Sequence, residues 1–284
     1  MTPPVATTKG HFDGASSARI AWRLWAPAVA PRAVVVIAHG AGEHIGRYGY
    51  LIEALLMAGH AVAGLDHQGH GGSTGPRGLV RDLDTAVADL ERLIAHVRQQ
   101  LPGPPLLLLG HSMGGAIATG YAVSHPDVEG LILSAPALSL DTTPTVLRGL
   151  VRLLARVAPR LPVFAINADT ISSDPAEIRA YRDDPQMLGA PLPAATVAMI
   201  DHACRTLPPQ MARLTMPVLI LQGDADRLVS VAAGPLALRH TGAPDKTLVQ
   251  LADGRHELFN EAPGLRAEAL RVVCDWIDSR WPAP

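Results

Sequence analysis

The apolar positions of this chain fall into short blocks with two different periods. Ile20-Ala21-Trp22-Arg23-Leu24-Trp25 alternates and predicts a half-buried strand. Ala33 through Ala38 is continuously apolar, as expected of a strand covered on both faces. A helical pattern runs from Arg47 to Ala58 and stops at Gly59, after which Ala61–Leu65 predicts the next strand. Residues 66–78 are rich in glycine and predict a loop. Leu83, Val87, Leu90, Ile94, Val97 and Leu101 then recur at steps of four and three, one face of a helix that Pro102-Gly103-Pro104 halts. Leu106–Leu109, Leu131–Leu133, Val218–Leu221 and Leu248–Leu251 predict further strands, and Ala116–Val123 and Leu265–Ile277 predict helices.

Strands alternating with helices imply an α/β protein whose mostly parallel sheet is covered by helices on both faces. The alternation lapses between Pro136 and Leu207, where helices and prolines replace clear strands. Residues 1–135 and 208–284 are therefore expected to form the core, and 136–207 an inserted cap over the site. Composition narrows the picture only a little. With 48% hydrophobic and 18% charged residues over 284 positions, the chain is a packed globular protein. A net charge of -2 without a basic run argues against nucleic acid as a partner. Cys204 and Cys274 are too few for a disulfide framework and have no metal spacing, so they read as two inert buried thiols, with a single bridge as the alternative. Met1-Thr2-Pro3-Pro4 lacks the features of a signal peptide, and the longest apolar run is far short of a membrane span, so a cytoplasmic protein is expected.

Gly110-His111-Ser112-Met113-Gly114 matches G-x-S-x-G, the nucleophile elbow of the α/β-hydrolase fold. The serine of such an elbow sits on a sharp strand-to-helix turn, where flanking side chains would collide and glycine removes them. Gly71-Gly72-Ser73-Thr74-Gly75 matches the same pattern. Context separates the two. Ser112 follows four leucines and precedes an apolar helix, whereas Ser73 lies in a glycine loop with no helix behind it and reads as a turn residue.

In this fold the order along the chain is serine, acid, histidine. Of 12 histidines, His240 and His256 follow the late strand that should present the acid. His240 ends a helix-like stretch, where a histidine serves the helix dipole. His256 stands in a loop between a strand and the last helix and is the expected base. Gly223-Asp224-Ala225-Asp226-Arg227 offers two aspartates for the acid, and spacing does not choose between them. The oxyanion hole needs two amides: that of Met113, after the nucleophile, and that of Ala41 in the His39-Gly40-Ala41-Gly42 loop. His67 and His70 form an H-x-x-H, but without further ligands nearby no metal is expected.

His39-Gly40-Ala41-Gly42-Glu43-His44 with Arg47-Tyr48, Asp66-His67-Gln68-Gly69-His70-Gly71 and Gly110 through Gly115 closely resemble the monoacylglycerol lipases. Gly223 through Leu228 and Gly254 through Glu257 continue the match, so the resemblance spans nearly the whole chain. It implies hydrolysis of monoacylglycerols to glycerol and a fatty acid, with no cofactor. It makes Asp226, directly before arginine, the acid. It also places Glu43, Arg47 and Tyr181 near the glycerol end of the substrate, with His111 beside them as a substrate-binding candidate. Glu43 and Arg47 lie four apart at a helix start, a spacing at which they could instead pair with each other. A broader carboxylesterase or lysophospholipase would use the same triad, and a non-catalytic binding module would have no need of it.

The expected cap carries one amphipathic helix from about Val146 to Ala158. Arg148, Arg152 and Arg156 share one side, and Leu147, Leu150, Leu154 and Val157 the other. Its apolar face is expected to pack on the domain with the arginines in water. The competing reading rests the basic helix on an anionic membrane.

Overall fold

In the computed structural model, which describes residues 5–139 and 144–282, the apolar blocks become the central strands of one sheet. Met1–Pro4, read above for a signal peptide, lie outside the described residues. The chain enters through β1 (Val5–Asp13), β2 (Arg19–Pro27) and β3 (Val34–Ala38), then α1 (Gly49–Met57), β4 (Ala61–Leu65) and α2 (Leu83–Gln100). β5 (Leu106–His111), α3 (Met113–Ser124) and β6 (Gly130–Ser134) follow. Next come α4 (Thr145–Val157), β7 (Pro162–Phe164), α5 (Pro175–Asp183), β8 (Leu192–Pro193) and α6 (Ala194–Gln210). The sheet resumes with β9 (Val218–Gly223), α7 (Ala233–His240), β10 (Lys246–Leu251) and α8 (Pro263–Arg280).

Among the described residues the main sheet has eight strands in the order β1-β2-β4-β3-β5-β6-β9-β10. β2 runs antiparallel to β1 and β4, and the remaining pairs are parallel, the architecture of the α/β-hydrolase fold. The continuous apolar strands have a simple cause. Successive side chains point to opposite faces. Val36, Leu108, Leu133 and Ile220 join the core under α2, α3 and α6, while Ile37, Leu107, Ile132 and Leu221 join the core under α1 and α8. Each such side chain, fully buried, contributes roughly 1.5–3 kcal/mol. α2 buries Leu83, Val87, Leu90, Ile94 and Val97, and its N-cap Asp82 accepts the Thr85 amide at 2.7 Å.

Two features depart from the periodicity. β1 carries threonines and Lys9 on an exposed sheet edge, so pairing with β2, not a buried face, sets its register. β7 and β8 form a small antiparallel pair inside the segment expected to lack strands; two and three residues are too few to show a period. The expected cap boundary at 207 falls inside α6, whose Met199, Ala203 and Leu207 belong to the main core. No disulfide joins Cys204 and Cys274, and both are half-buried instead of fully buried as expected. No helix among the described residues is long and apolar enough to cross a membrane.

α4 packs opposite to the expectation. Val146, Leu147, Leu150, Leu153 and Val157 are exposed, Val157 at 71%, and only Val151 is buried. Two of its three arginines turn inward, while Arg156 stays exposed. Arg148 Nε and Arg152 Nη1 reach the carboxylate of Asp201 on α6 at 2.6 and 3.3 Å, and Arg205 Nε reaches it at 3.1 Å. A buried carboxylate needs charged partners. Asp201 lies on α6, 53 residues beyond Arg148, so a pattern confined to α4 does not reveal it.

Candidate active site

β5 ends at His111 and α3 begins at Met113, leaving Ser112 alone at the turn with φ 53° and ψ -120°. A non-glycine residue held there stores backbone strain, which packing must enforce. The enforcement is visible. A Cβ on Gly114 would lie 2.0 Å from the Ala38 carbonyl oxygen, and one on Gly110 would lie 2.4 Å from that of Gly114. The Ser112 amide donates to Ser134 O at 3.0 Å, and its carbonyl accepts from Gly115 and Ala137 at 2.9 Å each. Met113 opens α3, so its amide belongs to the turn whose N–H groups have no partner within the helix. Ser73 is occupied elsewhere: its hydroxyl donates to Asp66 O and accepts from the Ala21 amide.

The loop after β9 lies against the loop after β10, with Ala225 N–H donating to Gly254 O at 3.0 Å. This brings Asp226 to His256, Oδ2 to Nδ1 at 2.8 Å. Oδ1 of Asp226 accepts the Leu228 and Val229 amides at 2.8 and 3.1 Å, and Gln222 Nε2 reaches Oδ2 at 3.2 Å. Asp224 instead accepts the Asp253 amide. Burial alone raises Asp226, but the charge of His256 and these hydrogen bonds outweigh it and hold the carboxyl below its ordinary value. For His256, burial lowers the pKa, yet Asp226, with help from Glu257 and Glu43, leaves the ring above the usual histidine value. His256 and Ser112 line one cavity, and no hydrogen bond joins their side chains among the described residues. His240 ends α7 and does not line that cavity.

Ahead of the nucleophile, His39 Nδ1 donates to Gly40 O at 2.7 Å and Nε2 accepts the His67 amide at 2.9 Å, which fixes a neutral tautomer. Burial, then His67 and His70, keeps His39 well below its ordinary value. The Gly40 amide and the Tyr48 hydroxyl both donate to Glu43 Oε1, the latter at 2.7 Å. Gly40, Ala41 and Glu43 line the cavity beside Ser112 and His256. His111 lines it too, its ring 4.7 Å from that of His256 and pushed down to about 3 by burial and then by His256.

Glu43 and Arg47 do not pair. Arg47 donates to Glu257 at 2.8 Å, lies 3.7 Å from Glu177, and stands 5.8 Å from the Tyr181 ring centroid. Arg47 is behind the wall, whereas Tyr181 and Glu257 line the cavity. Glu257 falls within the Gly254–Glu257 block, and its signal in the sequence is a carboxylate directly after the base. Burial and the Glu257 charge raise Glu43 above the carboxylate range, against its hydrogen bonds. Glu257 is also opposed by burial, but Arg47 and Asn260 hold it below that range.

The cavity holds about 350 Å³. Val151, Ile166, Val197 and Ile200 form part of its wall. Leu147 and Phe164 line it while remaining 49% and 44% exposed, so they mark its mouth.

A family model described as serine aminopeptidase, S33 matches residues 29–263. The chain is 37% identical over 279 residues to a monoacylglycerol lipase of Mycolicibacterium smegmatis, covering 97% of this chain and 99% of that protein. It is 32% identical over 275 residues to monoglyceride lipase of Homo sapiens, covering 95% and 90%. The crystal structure of a monoacylglycerol lipase of Paleococcus ferrophilus matches with a TM-score of 0.80 at 28% identity, over 96% of this chain and 99% of that one. The chain therefore belongs to the α/β-hydrolase family described as serine aminopeptidase, S33, and to the monoacylglycerol lipase group within it.

Proposed function

We propose that the enzyme hydrolyses monoacylglycerols to glycerol and a fatty acid, with Ser112 as nucleophile, His256 as base and Asp226 as the acid that orients it. The observation that carries this reading is one cavity with two chemically different ends. Leu147 and Phe164 at the exposed mouth, with Val151, Ile166, Val197 and Ile200, form its apolar part, interrupted by the paired Arg148 and Asp201, and Glu43, Tyr181 and Glu257 form its polar part. Burying about ten methylenes of an acyl chain contributes roughly 8 kcal/mol. Acyl burial then sets affinity, and polar contacts orient the alcohol.

His256 Nε2 takes the Ser112 proton as Oγ attacks the ester carbonyl, and the amides of Ala41 and Met113 hold the oxyanion. The imidazolium then protonates the departing glycerol oxygen. Water enters, gives its proton to His256, and releases the fatty acid from the acyl-enzyme. The Ser112–His256 hydrogen bond forms as substrate seats, since catalytic hydrogen bonds are commonly long or unmade until then. Glu43 and Tyr181 contact the alcohol, His111 walls the site as a neutral ring, and Arg47 supports it from behind. The segment from α4 through β8 acts as the cap, with α6 returning the chain to the core.

The enzyme also meets its substrate at a lipid surface. Val146, Leu150, Leu153 and Val157 form an exposed apolar stripe on α4, adjoining the mouth at Leu147. The contact is assigned to this stripe, because Arg148 and Arg152 are engaged with Asp201. The proposed setting is the cytoplasm, with peripheral attachment to membranes.

The test is intact-mass labelling with a fluorophosphonate, followed by kinetics on monoacylglycerols, lysophospholipids and short nitrophenyl esters. The expected result is one adduct, lost in Ser112→Ala, and the highest kcat/KM on monoacylglycerols. Labelling of Ser112 with preferred turnover of lysophospholipids would reject the substrate but keep the triad.

A further inference from the structure

Glu257 is 6% exposed, and its backbone is fixed by its amide donating to Ile171 O at 2.8 Å. Its two carboxylate oxygens are used unequally. Oε2 accepts both Arg47 Nη2 and Asn260 Nδ2, each at 2.8 Å. Oε1 has no partner among the described residues, yet it is not among the buried polar atoms sealed off without one, and the residue lines the cavity. One oxygen is thus anchored to the protein and the other is left for whatever fills the polar end.

The neighbouring carboxyl is arranged differently. Glu43 receives both of its donors on Oε1, and it repels Glu257 across the site. Arg47 keeps Glu257 ionised, while burial and Glu257 raise Glu43 toward its neutral form. A proton on Glu43 therefore sits on Oε2 and can donate, while Glu257 Oε1 can only accept. An alcohol with two hydroxyls finds one acceptor and one donor. An alcohol with none leaves a buried charged oxygen without a partner, the situation in which a polar site rejects a substrate most strongly.

We propose that Glu257 is a specificity-determining residue, whose unpartnered carboxylate oxygen accepts a hydrogen bond from a free hydroxyl of the alcohol half of the ester. This rests on the monoacylglycerol reading above. It places Glu257 on the leaving-group side, next in sequence to the residue that protonates that group.

The experiment compares kcat/KM for 1-decanoylglycerol with kcat/KM for ethyl decanoate, in wild type, Glu257→Gln and Glu257→Met. The readout is the ratio of the two values. Damage to folding, to Arg47 or to the His256 pKa acts on both esters and cancels. The ratio should fall tenfold or more in Glu257→Met and by a smaller factor in Glu257→Gln, which keeps a neutral acceptor. Ethylene glycol monodecanoate, with one hydroxyl, should lie between the two esters in wild type. If Glu257→Met does not fold, the Gln ratio and the wild-type order of the three esters still decide. An unchanged ratio with wild type active on the glycerol ester overturns the role of Glu257 alone. A wild type that cleaves ethyl decanoate but not decanoylglycerol overturns the substrate reading and this inference together.

Discussion

Replacing Asp226 by Asn keeps the side chain's shape and removes its charge, and the hydrogen-bond pattern dictates the consequence. Four donors converge on the two oxygens of Asp226: the Leu228 and Val229 amides on Oδ1, and Gln222 Nε2 and His256 Nδ1 on Oδ2. Asn has one oxygen. If that oxygen keeps the two backbone amides, its NH₂ faces His256 Nδ1, which must then accept. The ring proton moves to Nε2, the nitrogen that has to take the Ser112 proton. A wrong tautomer of this kind costs about 10⁴-fold in kcat, or about 5.4 kcal/mol of transition-state stabilisation. The pH profile gives an independent readout. Asp226 holds His256 above its ordinary value, and only the deprotonated ring is a base. Wild-type activity should therefore fall as pH drops through a value above about 6.5. In Asp226→Asn the residual activity should hold to lower pH. Stopped-flow or steady-state hydrolysis of a nitrophenyl ester from pH 5 to 9 measures both, with circular dichroism checking the fold. Asp224→Asn, which touches only the Asp253 amide, should stay near wild type. A folded Asp226→Asn enzyme within tenfold of wild type, or an unmoved acid limb, refutes the orienting role.

Gly114→Ala should abolish activity and lower the yield of folded protein, because the new methyl would lie 2.0 Å from the Ala38 carbonyl oxygen and displace the end of β3 that leads into the Ala41 loop; thermal melting and fluorophosphonate labelling check both. Leu150→Ser, Leu153→Ser and Val157→Ser together should reduce sedimentation with lipid vesicles severalfold while hydrolysis of a soluble short ester changes less than threefold; unchanged sedimentation would reject the apolar stripe as the contact. Asp201→Ala should leave Arg148 and Arg152 without their shared carboxylate and speed tryptic cleavage within residues 145–160, read by mass spectrometry, whereas equal cleavage rates would show that α4 is held by other contacts.

The parts of this molecule that a sequence reveals are those whose cause lies nearby in the chain. Ala33–Ala38 shows its burial because both cores draw on it residue by residue, and Gly110 and Gly114 mark the elbow because their constraint is local backbone crowding. Asp224 and Asp226 are equivalent by spacing, and only the approach of the β10 loop to the β9 loop separates them. Arg47 lies four residues from Glu43, yet its partners are Glu257 and Glu177, more than a hundred residues away. Local pairing rules fail there because Tyr48 and the Gly40 amide already occupy Glu43 Oε1.

The inversion of α4 follows the same logic and ties the fold to the proposed function. Amphipathicity says only that a helix has two unlike faces; it does not say which one the protein covers. Here three arginines satisfy one buried carboxylate, so the polar flank can be the inner one. The carboxylate is the buried member of this cluster, so it is the group that depends on its partners. The polar seam therefore fixes where α4 sits without using its leucines. Those side chains remain at steps of four, three and four on the outside, and Leu147 carries the stripe to the mouth of the cavity. Each one transferred from water to lipid contributes roughly 1.5–3 kcal/mol. On the proposed reading, an acyl chain leaving a lipid layer stays against apolar surface from the stripe, past Leu147, to the wall beside Ser112. Arg148 and Asp201 also line the cavity, but they are paired with each other at 2.6 Å, so the chain passes an ion pair there and not a lone charge.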